Sequence, residues 1–127
     1  MKILAIDPGQ TTGVLLMDTH TGSTLGAELR LWERLDALIQ RTKPDVIVYE
    51  AFRLYPHLAK AQIGKSFPTV QVIGVIKYLA NQACIPTVEQ TAAMRKHVPK
   101  RPGITSPHVQ SAYQHAETYR RRKEGHL

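Results

Sequence analysis

Residues 1–18, MKILAIDPGQTTGVLLMD, contain two short apolar runs separated by a turn sequence. The first run ends in a single carboxylate, Asp7, and the turn sequence PGQTTG leads into the second run. This pattern predicts a strand over residues 3–7, a tight reversal, and a strand over residues 14–18. A carboxylate at the end of a buried strand costs free energy unless something compensates it, and a cation is the usual compensation. Asp7 is therefore a candidate cation ligand.

A second lone carboxylate ends the apolar run of residues 45–50, DVIVYE. Continuous apolar sequence of this length is typical of a strand that is buried on both faces. A third strand over residues 24–31 and an amphipathic helix over residues 32–41 are predicted to precede it. A right-handed crossover places the strand at 45–50 parallel to the first strand and beside it. Asp7 and Glu50 are thus predicted to lie side by side at one edge of the sheet.

The second half of the chain alternates helical and strand patterns. The predicted elements are a helix over residues 69–84, an edge strand over 85–89, a helical turn over 92–97 and a final helix that ends near residue 123. Ser106 and Pro107 are a favourable N-cap and first residue for that last helix. The order of elements predicts the α/β class, with a mixed five-stranded sheet and helices on both faces. Its first three strands form an antiparallel meander, and the fourth and fifth are parallel.

Size and composition indicate a single globular domain over residues 1–127, with a basic tail that frays over about residues 120–127. Hydrophobic residues make up 43% of the chain, and Cys84 is its single cysteine. This composition gives no disulfide framework and suits a reducing compartment such as the cytoplasm. No secretory signal pattern is found, and no segment approaches the roughly 20 apolar residues of a membrane span.

Positive charge is concentrated near the C-terminus. The formal net charge is +7 and the pI is near 9.8. Residues 1–92 contain nine Lys and Arg against eight Asp and Glu, whereas residues 93–127 contain eight against two. Such asymmetry indicates a binding surface for a polyanion, and a nucleic acid is the expected partner.

The two strand-end carboxylates suggest a site for a hard cation. Oxygen ligands without a Cys–His cluster select Mg²⁺ or Mn²⁺. Ions held by strand-end carboxylates are a known arrangement for phosphodiester hydrolysis. The simpler alternative is that Asp7 starts an Asx-type turn and that Glu50 pairs with Arg53.

Four segments together resemble a known family. ILAIDPGQTTG, VIVYEAFRLY, SFPTVQVIGVIKYLA and PHVQSAYQHA look like the phage-type branch of the RuvC-like Holliday junction resolvases, over about residues 2–120. The resemblance implies an RNase H-like fold, a homodimer, and Mg²⁺-dependent nicking of branched DNA at symmetric positions. It also implies a crossover junction endodeoxyribonuclease active in DNA recombination and repair, encoded by a phage or prophage and found in the bacterial cytoplasm.

The resemblance assigns roles to individual residues. Asp7 matches the first metal ligand of the family and Glu50 the second, while two further positions on the last helix fall on His108 and Ser111. The family has Asp at the second of these positions, and a neutral Ser hydroxyl is a poor Mg²⁺ ligand. His115, one turn later on the same face, could supply a nitrogen that favours Mn²⁺. Glu89 at the end of the fifth strand is a further candidate donor.

Basic residues supply the expected nucleic-acid contacts. Lys96 falls where the resemblance places a lysine close to the scissile phosphate, although a solvated surface lysine explains it equally well. Tyr55 and His57 are candidates for stacking on an unpaired base. The residues predicted to contact nucleic acid are Arg53, Lys60, Lys65, Lys96, Lys100, Arg101, Arg120 and Arg121.

Two other functions remain open at this stage. One keeps the fold and changes the substrate, giving an RNA-processing nuclease similar to the YqgF group. The other is a junction-binding protein whose catalysis is weakened because Ser111 replaces an Asp. In the resembled family the helix at 69–84 forms much of the dimer contact, and Gly74 would permit close approach of a second copy.

Overall fold

The computed structural model describes residues 1–30, 32–52 and 67–125. These residues form a mixed five-stranded sheet with the strand order β3-β2-β1-β4-β5. β1, β2 and β3 pair antiparallel, and β1, β4 and β5 run parallel. The strands are β1 (Lys2–Asp7), β2 (Thr12–Asp18), β3 (Thr24–Leu29), β4 (Val46–Glu50) and β5 (Thr87–Gln90). The predicted topology is confirmed, including the position of β5 at the edge of the sheet.

The helices cover both faces of this sheet, as predicted. They are α1 (Arg34–Thr42), α2 (Pro68–Gln82), α3 (Ala92–Arg95) and α4 (Pro107–Lys123). Each lies within a few residues of its predicted bounds, and α4 ends at Lys123 as the sequence indicated. None of the helices in the described ranges is long and apolar enough to cross a membrane.

Alternation along the strands divides the core into two halves. Leu4 and Ile6 pack with α1 and α2 on one face of the sheet, whereas Ile3 and Ala5 pack with α4 on the other. Because successive side chains in a strand point to opposite faces, Asp7 lies on the α4 face. The same parity along β4 places Glu50 on that face. The sheet therefore directs both carboxylates towards α4.

Two glycines allow α4 to approach the sheet closely. A Cβ atom on Gly13 would lie 2.1 Å from the carbonyl oxygen of His108, and one on Gly26 would lie 2.4 Å from Cγ1 of Val109. Ser106 fixes the start of the helix, because its Oγ accepts a hydrogen bond of 3.2 Å from the backbone N–H of Val109. Gly13 thus serves the packing of the helix on β2, in addition to any role in the turn before it.

We expect Gly13→Ala to destabilise the fold by about 2–4 kcal/mol, because the new methyl group overlaps backbone that cannot move without lifting α4. Thermal unfolding measures the change. Gly74→Ala is the matched control when measured in dilute protein, where the dimer implied by the resemblance is not populated, since a Cβ at Gly74 meets nothing within 4 Å and Ala favours a helix over Gly by about 1 kcal/mol. Equal stability of the Gly13→Ala variant and the parent protein would contradict the packing argument.

Candidate active site

Asp7 and Glu50 lie at the carboxyl ends of two neighbouring parallel strands. Ile6 pairs with Tyr49 in the register of β1 and β4, so the two carboxylates occupy the next positions along. Burial raises the pKa of Asp7 above its ordinary value of 3.8, and the negative charge of Glu50 raises it further. The adjacency predicted from the sequence is therefore present. It gives the site two carboxylates that repel one another unless a cation separates them.

Two hydrogen bonds hold Glu50 in place. Its Oε1 accepts a bond of 2.8 Å from Nε of Arg95 and one of 2.9 Å from Nε2 of His115. Burial opposes ionisation of Glu50, but the bonds from His115 and Arg95 outweigh it and lower the pKa of this carboxyl. Both contacts fall on Oε1, and Oε2 has no hydrogen-bond partner within the described ranges. Glu50 is thus ionised with one oxygen available to a cation.

His115 is fully buried between two polar side chains. Its Nδ1 lies 2.8 Å from Oε1 of Gln90, a residue that is 1% exposed, and its Nε2 is bonded to Glu50. Both ring nitrogens are therefore used within the protein. In this arrangement His115 orients Glu50, and service as a metal ligand requires the loss of one of these two contacts.

Ser111 and His108 lie on the face of α4 that is turned to the sheet. Ser111 is 5% exposed, and its hydroxyl is close enough to Asp7 to favour the ionised form of that carboxyl. Within the described part of the chain, however, Ser111 Oγ has no hydrogen-bond partner of good geometry. His108 is half-buried one turn earlier, with its backbone against Gly13. A buried, unpartnered hydroxyl oxygen therefore sits beside the Asp7 carboxylate.

Arg95 supplies a cation that the sequence did not indicate. Besides its bond to Glu50, its Nη1 donates to Oε1 of Gln114 at 3.2 Å, and Gln114 in turn donates to the carbonyl of Val98 at 2.7 Å. The predicted cation, Lys96, is the next residue and is exposed to solvent. The two positions differ by one residue at the end of a single short helical turn, and nothing in the local pattern distinguishes them.

Glu89 points away from the site. It lies opposite Tyr49 in the register of β4 and β5, on the face of the sheet that packs against α1 and α2. Burial raises the pKa of Tyr49, and the charge of Glu89 adds to the effect. Since β5 ends at Gln90 and not at Glu89, the residue on the α4 face is Gln90. Glu89 is not a donor to this site.

The predicted DNA-contacting residues fall into three groups. Arg53, Tyr55, His57, Lys60 and Lys65 lie outside the described residues. Lys100 is exposed on the segment before α4, and the adjacent Arg101 has its guanidinium carbon 5.8 Å from the centre of the Tyr113 ring.

The third group lies at the end of α4. Arg120 and Arg121 both pair with Glu117, and Arg120 also pairs with Glu124. Burial opposes ionisation of Glu117, but these arginines lower its pKa. Part of the basic charge at this end is thus balanced within the helix.

The donor set suits a hard divalent cation of the Mg²⁺ kind. Within the described ranges no group of three or more His, Cys, Asp or Glu side chains is arranged to hold an ion. Mg²⁺, however, is commonly bound through one or two carboxylates together with water and substrate phosphates. Asp7, Oε2 of Glu50 and the Ser111 hydroxyl beside Asp7 are consistent with one such ion. They provide no third charged ligand for a second ion.

Comparison with known proteins gives matches at the level of structure. No family model and no curated protein sequence matches this chain. T. thermophilus RuvC in complex with a Holliday junction substrate is similar over 99% of this chain and 97% of its own, with a TM-score of 0.78 and 16% identity. Another structure of Thermus thermophilus RuvC covers 98% of this chain and 97% of its own, with a TM-score of 0.74 and 15% identity.

A viral protein has a more distant likeness. The Fowlpox virus resolvase, solved with Holliday junction DNA, covers 100% of this chain and 78% of its own, with a TM-score of 0.50 and 12% identity. At these identities the comparisons establish the fold. The chain has the RNase H-like fold of RuvC, which confirms the fold that the sequence resemblance implied.

We expect Asp7→Asn to stabilise the protein at neutral pH. The pKa of Asp7 is higher in the folded protein than in the unfolded chain. Protonated Asp7 therefore stabilises the fold fully at a pH below its unfolded-state pKa, and this stabilisation is lost as the pH rises through its folded-state pKa. A neutral amide avoids this loss, so the Tm of Asp7→Asn should exceed that of the parent protein at neutral pH. Thermal unfolding of both proteins from pH 4 to pH 8 should show a difference that grows with pH. A variant that is less stable than the parent at pH 8 would contradict the assignment of Asp7 as a strained carboxylate.

Proposed function

We propose that this protein is a structure-selective endonuclease that nicks four-way DNA junctions and related branched DNA with the help of Mg²⁺ or Mn²⁺. The observation that carries the proposal is the pair of carboxylates, Asp7 and Glu50, which converge under α4 in an RNase H-like fold. The solved structures that share this fold over nearly the whole chain include complexes with Holliday junction DNA.

Asp7 and Glu50 would hold the cation. When bound, a divalent ion activates water and stabilises charge on the phosphoryl oxygens. The protein's own groups prepare the site, because His115 and Arg95 fix the orientation of the Glu50 carboxylate. Burial of Asp7 and its repulsion by Glu50 make a bound cation favourable there. Ser111 leaves the site with less negative charge than the family pattern has.

Basic residues in the C-terminal third of the chain would bind the DNA backbone. Lys96, Lys100 and Arg101 lie between β5 and α4, on the side of the chain where positive charge is in excess. Contacts of this kind are independent of sequence and weaken as salt concentration rises. Lys96, which is exposed and follows Arg95 in the chain, would meet a phosphate that enters the site.

A homodimer would match the symmetry of the substrate. A four-way junction has two-fold symmetry, so two identical active sites would address two strands. The outer surface of α1 and α2 has exposed apolar side chains, with Trp32 46% exposed and Tyr78 62% exposed. These two residues line a groove that also includes Gly74. We propose this surface as the contact between the two copies.

A second candidate function is junction binding with weak or absent cleavage. It is favoured by the neutral Ser111 next to Asp7 and by the guanidinium of Arg95 on Glu50. Both features reduce the net negative charge that would attract a cation. The fold and the basic surface serve binding and cleavage equally, so cleavage assays must separate the two functions.

We expect the parent protein to nick a labelled four-way junction in Mg²⁺ or Mn²⁺, and to act on structured RNA much less. Asp7→Asn should reduce nicking by at least about 10²-fold, as loss of a group that organises the transition-state charge does, while junction affinity measured in EDTA stays within about 3-fold. Asp45→Asn is the matched control, because Asp45 precedes β4 at the end of the sheet away from Asp7, where it accepts a hydrogen bond from the backbone N–H of Lys2. Undiminished nicking by Asp7→Asn would remove Asp7 from the site. Tight binding without nicking in either metal would favour the second function, and preferential cleavage of RNA would favour an RNA-processing role.

Ser111→Asp should raise Mg²⁺-supported nicking by about 10–100-fold, the size of effect typical of ligands and their supporting groups. In metal-free buffer the added carboxylate beside Asp7 should lower Tm through like-charge repulsion, and Mg²⁺ should restore it. Ser111→Ala serves as the control, since it removes only the unpartnered hydroxyl. A folded Ser111→Asp variant whose Tm and nicking do not respond to Mg²⁺ would mean that this position does not face the ion.

A further inference from the structure

Arg95 is in direct contact with Glu50, a proposed metal ligand. Its side chain is 26% exposed, and its Nε lies 2.8 Å from Oε1 of Glu50. The bond to Gln114 fixes the other side of the guanidinium, and Gln114 is itself anchored on the backbone of Val98. The contact therefore joins side chains from three elements, β4, α3 and α4.

The guanidinium of Arg95 and a divalent ion would both bind the carboxylate of Glu50. Arginine remains charged at every accessible pH, so Glu50 carries a permanent counter-charge in the ion-free protein. An ion bound by Asp7 and Glu50 would place two further positive charges next to that guanidinium. Like charges this close repel strongly in a partly buried site, where the effective dielectric constant is well below that of water.

The neutral side chain of Ser111 increases the effect of Arg95 on ion binding. With an acidic residue at Ser111, three carboxylates would face the cations of the site. With Ser111 neutral, Asp7 and Glu50 alone balance Arg95 and any incoming ion. The Arg95 charge is then a larger fraction of the charge in the site.

We infer that Arg95 competes with the divalent cation for Glu50, so that ion binding loosens the guanidinium from the carboxylate. Arg95 is in this sense a positioning residue, which holds Glu50 in the ion-free protein and sets the concentration of metal needed to load the site. The inference rests on the proposed metal-dependent function, and it adds a residue that limits affinity for the metal.

The test is a Mn²⁺ titration of DNA-free protein by calorimetry. We expect Arg95→Gln to bind Mn²⁺ about 10-fold more tightly than the parent, because a neighbouring positive charge is removed from a partly screened site. Lys77→Gln, which removes an exposed cation on α2, should stay within about 2-fold of the parent. A purely structural role for Arg95 predicts the opposite sign, since a loosened Glu50 binds the ion less well. Equal or weaker Mn²⁺ binding by Arg95→Gln would overturn the inference.

A second measurement uses the parent protein and does not depend on the folding of a variant. The Arg95 Nε–H signal in a ¹⁵N NMR spectrum should shift and exchange faster with water on saturation with Mg²⁺, because its bond to Glu50 weakens. An Arg95 signal that is unchanged at saturating Mg²⁺ would overturn the competition. Neither experiment contains DNA. If the Arg95 signal is unchanged while the protein nicks junctions in a metal-dependent way, only the inference about Arg95 is rejected. Loss of nicking in both metals would reject the proposed enzyme function separately.

Discussion

The repulsion between two half-buried carboxylates, Asp7 and Glu50, is the constraint on which the site depends. Parallel pairing of β1 and β4 fixes their separation, and burial under α4 prevents water from screening them fully. Two contacts hold Glu50, the guanidinium of Arg95 and a hydrogen bond from Nε2 of His115. Among the described residues Asp7 forms no salt bridge, and its pKa stays raised although His115 and Arg95 act to lower it. The negative charge of Asp7 is therefore compensated less than that of Glu50, and a bound cation would compensate it.

The packing of α4 turns this pair of acids into a site. Gly13 and Gly26 let the helix lie close to the sheet, and the Ser106 cap fixes where the helix begins. That placement brings Ser111 over Asp7 and buries His115 beside Glu50. The chemistry at the carboxyl ends of β1 and β4 thus depends on small residues in β2 and β3, which a functional argument from acidic residues alone would not include.

The sequence predicted the fold and the acidic pair because both follow from strong local signals. Apolar runs ending in Asp7 and Glu50, together with the right-handed crossover rule, were sufficient to place the two side by side. The rest of the site depended on single-residue register. If β5 is taken to end at Glu89 instead of Gln90, the residue at the end of the strand is one from the opposite face of the sheet, because side chains alternate along a strand. The choice of Arg95 over Lys96 depends on how a four-residue helix is oriented, which periodicity cannot resolve over so short a length.

The central claim is that Asp7 and Glu50 together hold a divalent cation under α4. It is tested most directly by a crystal soaked in Mn²⁺ and measured for anomalous scattering from manganese. The account predicts one strong peak between the carboxylates of Asp7 and Glu50, with Arg95 moved away from Glu50. An occupied manganese site elsewhere in the molecule, with none at this pair of carboxylates, would contradict it.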